Sequence, residues 1–232
     1  SHSLSLSTHT AFPRYMEDLE EMIGRPLLMS YRAVGSSTGK KEFVAGVNEF
    51  GGSEIPLIES DALPAGTKAL HFPHVIGAIS FFHNLPASSL PADTPLKLTA
   101  PVLAKIFQRD IKTWDHAEIA ELNPDLKVPA GQDILVNHRT LGSSSTFLST
   151  GYLERASGGV WKLGQGSTVE WPEDTYAVQG SSKMAAALQD SPFSIGYVDS
   201  DHGHTLHLKE IALKNKDGNW LTAKDADISA SG

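Results

Sequence analysis

The sequence predicts an α/β fold with mainly parallel sheets, and this prediction is based on three observations. Apolar runs typical of strands alternate with helix-like segments along the chain. Two hydroxyl-rich loops, at 35–39 and 139–147, each follow a strand-like run and precede a helix-like run. The 232 residues, of which 40% are hydrophobic, suffice for one large domain or two small lobes with a sizeable core. Ligands of such sheets bind at the carboxyl ends of strands, where both loops are expected.

The first third of the chain is predicted to alternate between helices and strands. Apolar residues share one helical face from Phe12 to Ile23, and Gly24 ends that helix. A strand is expected over 27–34 and a buried strand over the apolar stretch 71–83. Between them, the sequence predicts a helix over 40–47 and a strand end with a turn over 50–57.

The rest of the chain carries helix caps and further apolar runs. Thr99 is placed to cap a helix that has Pro101 in its first turn. Asp115 and Glu118 match the capping-box pattern of another helix. The remaining expectations are strands over 133–136, 194–198 and 206–213, helices over 147–153 and 181–188, and a turn at 217–218.

Composition excludes some partners. The net charge is −8, which argues against general nucleic-acid binding, since that function requires a basic face. The same charge means that an anionic ligand must be attracted by local donors, because the overall field opposes it. The chain has no cysteine and no run of 18 apolar residues.

The two hydroxyl-rich loops predict a site for a small tetrahedral oxyanion. Each presents backbone N–H groups and hydroxyls at a helix N-terminus, where the helix dipole favours negative charge. Arg139 adds a charged donor that can hold an oxyanion through two hydrogen bonds. The residues selected on this basis are Ser36, Arg139, Ser143, Ser144 and Ser145.

Several other interpretations compete with the anion site. The first loop could be a plain turn, and it departs from a nucleotide P-loop because Lys41 stands where Ser or Thr is required. Arg139 could form a surface ion pair. The second loop lacks the final glycine of a nucleophile elbow, and His138 is the base that the sequence places beside it.

A histidine cluster raises the question of a metal. His202, His204 and His207 could bind zinc, although an exposed turn accounts for them more simply. We therefore expect no metal, no cofactor and no catalytic residue.

At this point the residues resemble a known family, the periplasmic phosphate-binding proteins of ABC-type uptake systems. The matching segments follow the family's order through nearly the whole chain: 10–13, 34–37, 50–57, 72–77, 114–115, 122–124, 139–147, 166–172 and 194–198. The resemblance implies a two-lobed periplasmic-binding-protein fold of type II, with mixed sheets, flanking helices and a ligand cleft between the lobes. It implies one lobe from 1–83 with 198–232 and another from 84–197.

The resemblance also implies a role for each site residue. The backbone of Thr10, Ala11 and Phe12 would donate hydrogen bonds, Ser36 would supply a hydroxyl, and Arg139 would be the charged clamp. Ser143, Ser144 and Ser145 would supply N–H groups from a helix N-terminus. Glu54 stands where the family uses an aspartate as the acceptor of a phosphate proton, a contact that sulfate cannot make at neutral pH.

The sequence departs from the family in four places. Glu54 is one methylene longer than the family aspartate, and Leu141 stands where an aspartate often follows the arginine. The threonine of the first turn is displaced by one position. The chain ends near Gly232, which indicates either a compact variant or one domain of a larger protein.

The leading hypothesis is a monomeric protein that binds inorganic phosphate and delivers it to an ABC-transporter permease. Its expected location is the periplasm or the cell exterior; Ser1–Ser3 resemble a cloning remnant, so we expect that a signal peptide was removed. A second hypothesis is a phosphate-sensing module of a larger receptor or surface protein. A third, an enzyme that hydrolyses phosphate esters, requires measurable turnover.

Overall fold

The computed structural model describes residues 2–4, 12–26, 31–48, 50–73 and 76–226. The chain divides into two compact units. Unit 1 comprises Ser1–Ile76 with Gly142–Ser144, and unit 2 comprises Gly77–Leu141 with Ser145–Gly232. The lobe boundaries that the resemblance implies stay a prediction.

The described part of unit 1 contains a small parallel sheet and two α-helices. Strand β1 (His2–Leu4) pairs with β2 (Tyr31–Ala33). Helix α1 (Phe12–Ile23) confirms the predicted helix, and Gly24 ends it at a φ of 64°. Helix α2 (Ser36–Val44) begins before the predicted residue 40, because the hydroxyl-rich loop itself supplies its first turn.

The apolar segment before residue 79 corrects the prediction of a long buried strand. Among the described residues of 71–83, which exclude 74–75, the strand is β3 (Ile79–His83), and it belongs to unit 2. Leu70 and Phe72 are each 77% exposed. Apolar composition does not show whether a segment has a neighbouring strand to pair with, so the prediction placed too much of this stretch in the sheet. The described residues of 50–57 likewise form no strand, only a bridge at Gly51.

Unit 2 is built on a five-stranded mixed sheet in the order β6-β5-β7-β3-β8. Its other strands are β5 (Leu135–Arg139), β6 (Tyr176–Val178), β7 (Ser194–Asp199) and β8 (Lys209–Glu210). Strand β5 runs parallel to β6 and β7, whereas β3 runs antiparallel to β7 and β8. The large sheet is therefore mixed, which confirms the mixed sheets that the family resemblance implies. The strand alternation had indicated mainly parallel sheets, but alternating apolar runs carry no information on strand direction.

The described part of unit 2 also contains a second sheet of three strands and several α-helices. Strands β4 (Lys97–Leu98), β9 (Ala212–Lys214) and β10 (Trp220–Leu221) have the order β10-β9-β4. The helices are α3 (Ala100–Phe107), α4 (Ala117–Leu122), α5 (Ser144–Ala156, which starts at the last residue of unit 1), α6 (Ser181–Asp190) and α7 (Ser200–Thr205). The predicted strand over 206–213 is divided into β8 and β9.

The helix caps agree with the sequence in one case and correct it in another. Thr99 occupies the N-cap position of α3 and proline lies in the first turn, both as predicted, but the Thr99 side chain makes no capping hydrogen bond. Helix α4 is capped by His116, whose side chain accepts a hydrogen bond from the Glu118 N–H at 3.3 Å. Asp115 instead accepts a hydrogen bond from the Gly131 N–H at 2.7 Å, so a turn uses the carboxylate that the capping-box pattern assigned to the helix.

The core of unit 2 packs against both faces of its large sheet. Trp114, Phe107 and Tyr197 are fully buried in the larger cluster. A smaller cluster places Phe82 of β3 against residues of α6 and β7. No helix in the described part of the chain is long and apolar enough to cross a membrane.

Candidate anion-binding site

Two helices begin at the hydroxyl-rich loops, as the sequence predicts. Helix α2 starts at Ser36 and α5 at Ser144. The first N–H groups of a helix have no partner inside the helix, so these loops present donors where the helix dipole is positive. Gly35, at a φ of 80°, adopts a conformation that favours glycine, and a Cβ there would lie 3.8 Å from the Gly142 carbonyl oxygen. The two loops therefore meet within unit 1.

Three predicted site residues contact one another in unit 1, and we call Ser36, Glu54 and Ser144 the serine–glutamate cluster. The hydroxyls of Ser36 and Ser144 both donate to Glu54 Oε2, the second at 2.5 Å. The two serine Oγ atoms are 3.0 Å apart. Both serines are buried, with exposed fractions of 1% and 6%, and Glu54 is half-buried.

The loop that carries Glu54 is fixed against α2. A Cβ on Gly39 would lie 3.4 Å from the Gly52 carbonyl oxygen, so α2 packs close to this loop. Lys40 Nζ donates to the Pro56 carbonyl at 3.0 Å and forms an ion pair with Asp61 at 2.8 Å. These contacts hold the backbone on the C-terminal side of Glu54 and so limit where its carboxylate can lie.

The serine–glutamate cluster is rich in hydrogen-bond acceptors. A serine hydroxyl carries one proton, and an ionised carboxylate only accepts. When both serine hydroxyls donate to Glu54, the cluster presents to a ligand the lone pairs of its oxygen atoms, which accept hydrogen bonds. The cluster is therefore suited to a ligand oxygen that bears a proton. Once the ligand donates that proton in a hydrogen bond to the Glu54 carboxylate, the two serine hydroxyls can donate their hydrogen bonds to the ligand.

Arg139 lies in unit 2 at the end of β5 and is 8% exposed. Its Nη1 donates to Ser181 Oγ at 3.1 Å, and its backbone N–H donates to the Tyr197 hydroxyl at 3.2 Å. The Tyr197 hydroxyl lies 2.7 Å from Thr146 Oγ1, in the first turn of α5. Burial raises the pKa of Tyr197 to about 12, so this hydroxyl keeps its proton at neutral pH.

The remaining predicted residues are distributed as follows. Ser143 in unit 1 and Ser145 in unit 2 are each 2% exposed. Phe12 is the first residue of α1, while Thr10 and Ala11 lie outside the described residues. The structure thus shows contacts among Ser36, Glu54 and Ser144, and the binding roles of the nine predicted residues stay predictions.

The His138 ring contacts an aromatic side chain and a backbone carbonyl. Its ring stacks on Trp171 with centroids 4.9 Å apart, and Nδ1 is 3.1 Å from the Arg139 carbonyl oxygen. Burial lowers the pKa of His138, and the hydrogen bond to this carbonyl partly offsets the effect. His138, Arg139 and Trp171 line a cavity of about 300 Å³ in unit 2.

The histidine cluster differs from the predicted exposed turn, because His202 and His204 belong to α7. His204 Nε2 is 2.7 Å from Glu210 Oε2, and His202 Nδ1 is 3.8 Å from Asp199 Oδ2. Across the described ranges, no group of three histidine, cysteine or acidic side chains is placed to hold a metal ion.

Sequence reasoning missed Ser181, the hydroxyl partner of Arg139. The signal was present, because Gly-Ser-Ser occurs at 35–37, at 142–144 and again at 180–182. Gly180 precedes α6 with φ 79° and ψ 161°, close to the φ 80° and ψ 157° of Gly35 before α2. The third copy has the same glycine-to-helix geometry as the first.

The chain belongs to the family described as the PBP superfamily domain, whose model matches residues 3–230. It is 31% identical over 241 residues to the phosphate-binding protein PstS of Methanocaldococcus jannaschii, covering 97% of this chain and 60% of that protein. It is 32% identical over 207 residues to PstS of Haemophilus influenzae, covering 88% and 59%. The chain thus spans about three fifths of the length of these curated relatives.

Solved structures show the same fold. An ABC-type phosphate transport receptor from Vibrio cholerae matches with a TM-score of 0.60 at 15% identity, covering 100% of this chain and 91% of that one. A phosphate-binding protein from Stenotrophomonas maltophilia matches with a TM-score of 0.55 at 20% identity, covering 76% and 54%. The predicted periplasmic-binding-protein fold is confirmed.

Proposed function

We propose that this chain binds inorganic phosphate as a proton-bearing tetrahedral oxyanion and supplies it to an ABC-type transporter. The curated relatives named above are phosphate-binding proteins, which supports this ligand class. The observation that carries the proposal is the serine–glutamate cluster, in which two buried hydroxyls and a carboxylate meet at the start of two helices.

The cluster would recognise the ligand through its proton. One phosphate oxygen donates to Glu54, and the Ser36 and Ser144 hydroxyls then turn their protons toward other phosphate oxygens. Sulfate has no proton to donate at neutral pH, so it would place a charged oxygen against the carboxylate. The predicted result is a site that accepts phosphate and rejects sulfate.

The other proposed contacts supply positive charge and N–H donors. Arg139 would clamp the same anion, Ser143, Ser144 and Ser145 would donate N–H groups, and the backbone at 10–12 would complete the shell. Several charge-assisted hydrogen bonds, each contributing about 1.5–3 kcal/mol, account for affinity near the micromolar range, about −8 kcal/mol.

The proposal includes the biological setting. The chain would act as a monomer without turning over its ligand, in the periplasm or outside the cell, with a permease as its partner. Its lobes would be 1–83 with 198–232 and 84–197, closing on the ligand by a hinge.

The direct test is isothermal titration calorimetry of protein stripped of bound anion by unfolding and refolding. We expect phosphate to bind in the micromolar range or tighter and equimolar sulfate to produce no binding heat. Sulfate binding as tight as phosphate would contradict the role given to Glu54. Absence of heat from phosphate in correctly refolded protein would contradict the proposal itself.

A further inference from the structure

We infer that Ser181 is a positioning residue for Arg139, an inference that rests on the phosphate-binding function proposed above. Ser181 is the first residue of α6, it is 1% exposed, and its Oγ accepts a hydrogen bond from Arg139 Nη1 at 3.1 Å. An arginine side chain has several rotatable bonds, so a buried hydrogen bond at its end selects one guanidinium orientation.

The backbone at Arg139 is fixed by a separate contact. Its N–H donates to the Tyr197 hydroxyl, whose oxygen also lies 2.7 Å from Thr146 Oγ1 in a hydrogen bond where either hydroxyl can be the donor. Tyr197 is 1% exposed and belongs to β7, next to β5 in the sheet. The strand end is thus held by Tyr197, and Ser181 holds the far end of the side chain.

Ser181 is itself held at a fixed distance from the sheet. Helix α6 packs where Gly196 of β7 leaves room: a Cβ there would lie 3.2 Å from Leu188 Cδ2 and 3.3 Å from Met184 Sδ, both on α6. Gly180 starts the helix in a backbone conformation that favours glycine. The position of the Ser181 hydroxyl is therefore set by the packing of the helix on the sheet.

A serine hydroxyl is a neutral acceptor, so this contact orients the guanidinium without itself sharing the positive charge. A carboxylate would orient Arg139 equally well but would share its positive charge with the anion. Leu141 stands where the family often has an aspartate, whereas the Ser181 hydroxyl that accepts from Arg139 comes from α6. Ser181 thus determines how Arg139 is presented, without itself contacting the ligand.

The experiment is a double-mutant cycle of phosphate affinity, measured by calorimetry on Ser181→Ala, Arg139→Ala and the double variant. We expect Ser181→Ala to weaken phosphate binding about fivefold to twentyfold. In the Arg139→Ala background the same change should cost less than about twofold, because the residue it acts through is gone. Ser181→Thr keeps the acceptor and should restore most of the affinity. Ser182→Ala, one residue further along α6 and exposed, is the matched control.

Orientation is also measured without phosphate, by nitrogen NMR of the arginine side chains, with Arg139→Ala used for assignment. Rotation of the Arg139 guanidinium should be slow in the wild type and faster in Ser181→Ala. Three results would each overturn the role of Ser181. They are equal guanidinium rotation rates in the wild type and Ser181→Ala, full additivity in the double-mutant cycle, and a Ser181→Thr variant that binds phosphate as weakly as Ser181→Ala at unchanged Tm. An unchanged phosphate affinity in Arg139→Ala would instead remove Arg139 from the proposed phosphate site. The rotation rates would still show whether Ser181 orients the Arg139 guanidinium.

Discussion

Glu54 and Arg139 have opposite charges and different kinds of partner. Glu54 accepts from two serine hydroxyls in unit 1, both of which donate to Oε2. Arg139 is oriented in unit 2 by the Ser181 hydroxyl. If both bind one anion, as proposed, the carboxylate determines which anion is accepted and the guanidinium supplies most of the attraction. Substitution of each should therefore change a different property.

Replacing Glu54 with glutamine should change anion selectivity. The glutamine amide donates as well as accepts, so it can satisfy a sulfate oxygen that the carboxylate repels. We expect Glu54→Gln to raise the affinity for sulfate relative to phosphate, measured by competition calorimetry. Glu59→Gln, an exposed acid of the same unit, serves as the control. Unchanged selectivity in Glu54→Gln would contradict the acceptor role.

Replacing Arg139 with alanine should change affinity. A charge-assisted hydrogen bond contributes about 1.5–3 kcal/mol, so phosphate binding should weaken at least about tenfold in Arg139→Ala. The exposed Arg155 of α5 provides a control of equal charge change, and Arg155→Ala should bind within about twofold of the wild type. Equal effects of the two substitutions would indicate long-range electrostatics instead of a clamp.

At the scale of elements, the sequence predicted the helices better than the strands. Thr99 and Pro101 marked the start of α3, and Gly24 the end of α1, because these signals are local. Ser36 and Ser144 were predicted as binding residues in loops, yet each is the first residue of a helix. The extent and direction of β3 depend on pairing with β7 and β8, which no local pattern specifies.

The site residues, like the helices, were predictable where a local pattern marks them. Ser36 and Ser144 were identified from local loop composition, and Glu54 from the family resemblance. Ser181 was missed, since its partnership with Arg139 arises from the packing of α6 beside β5, across 42 residues of sequence. A hydroxyl that acts through another side chain carries no motif of its own.

The packing of α7 on β3 gives a test at this scale. A Cβ on Gly203 would lie 2.2 Å from Cζ of Phe82, whose side chain is fully buried. Overpacking of this kind costs about 1–3 kcal/mol, and each kcal/mol lowers the Tm of a chain of this size by about 2–4 °C. Gly203→Ala should therefore lower the Tm in a calorimetric scan. Gly77→Ala, where a Cβ meets no atom within 4 Å, should leave it nearly unchanged.

The stability of the whole molecule should depend on a buried histidine. His83 is 2% exposed, its Nδ1 accepts from the Leu85 N–H at 3.1 Å, and burial together with nearby Lys209 lowers its pKa from 6.5 to about 3. The unfolded chain binds a proton at this residue below about pH 6.5, whereas the folded chain stays neutral until about pH 3. The stability contributed by neutral His83 is complete above pH 6.5 and is lost as the pH falls toward 3.

In the middle of that pH range the free energy of unfolding should fall by about 1.4 kcal/mol for each pH unit of acidification. The reason is that the unfolded chain binds one more proton at His83 than the folded chain does. Urea unfolding at about pH 7 and pH 5 should show the wild type losing stability on acidification. His83→Asn retains an acceptor near the Nδ1 position and should reduce the slope, although His138, whose pKa burial also lowers, keeps part of it. A slope identical to that of the wild type would contradict the neutral state of His83.

The order of the strands in the large sheet has a consequence for how the chain folds. Phe82 of β3 pairs with Glu210 of β8, so an inner strand near residue 80 finds its edge neighbour only after residue 210 has been synthesised. Closing so long a loop is entropically costly, and sheets dominated by distant pairings form slowly. Until β7 and β8 arrive, the apolar residues of β3 have no sheet to join. The nascent chain is therefore most prone to aggregation in the interval between the synthesis of β3 and that of β8.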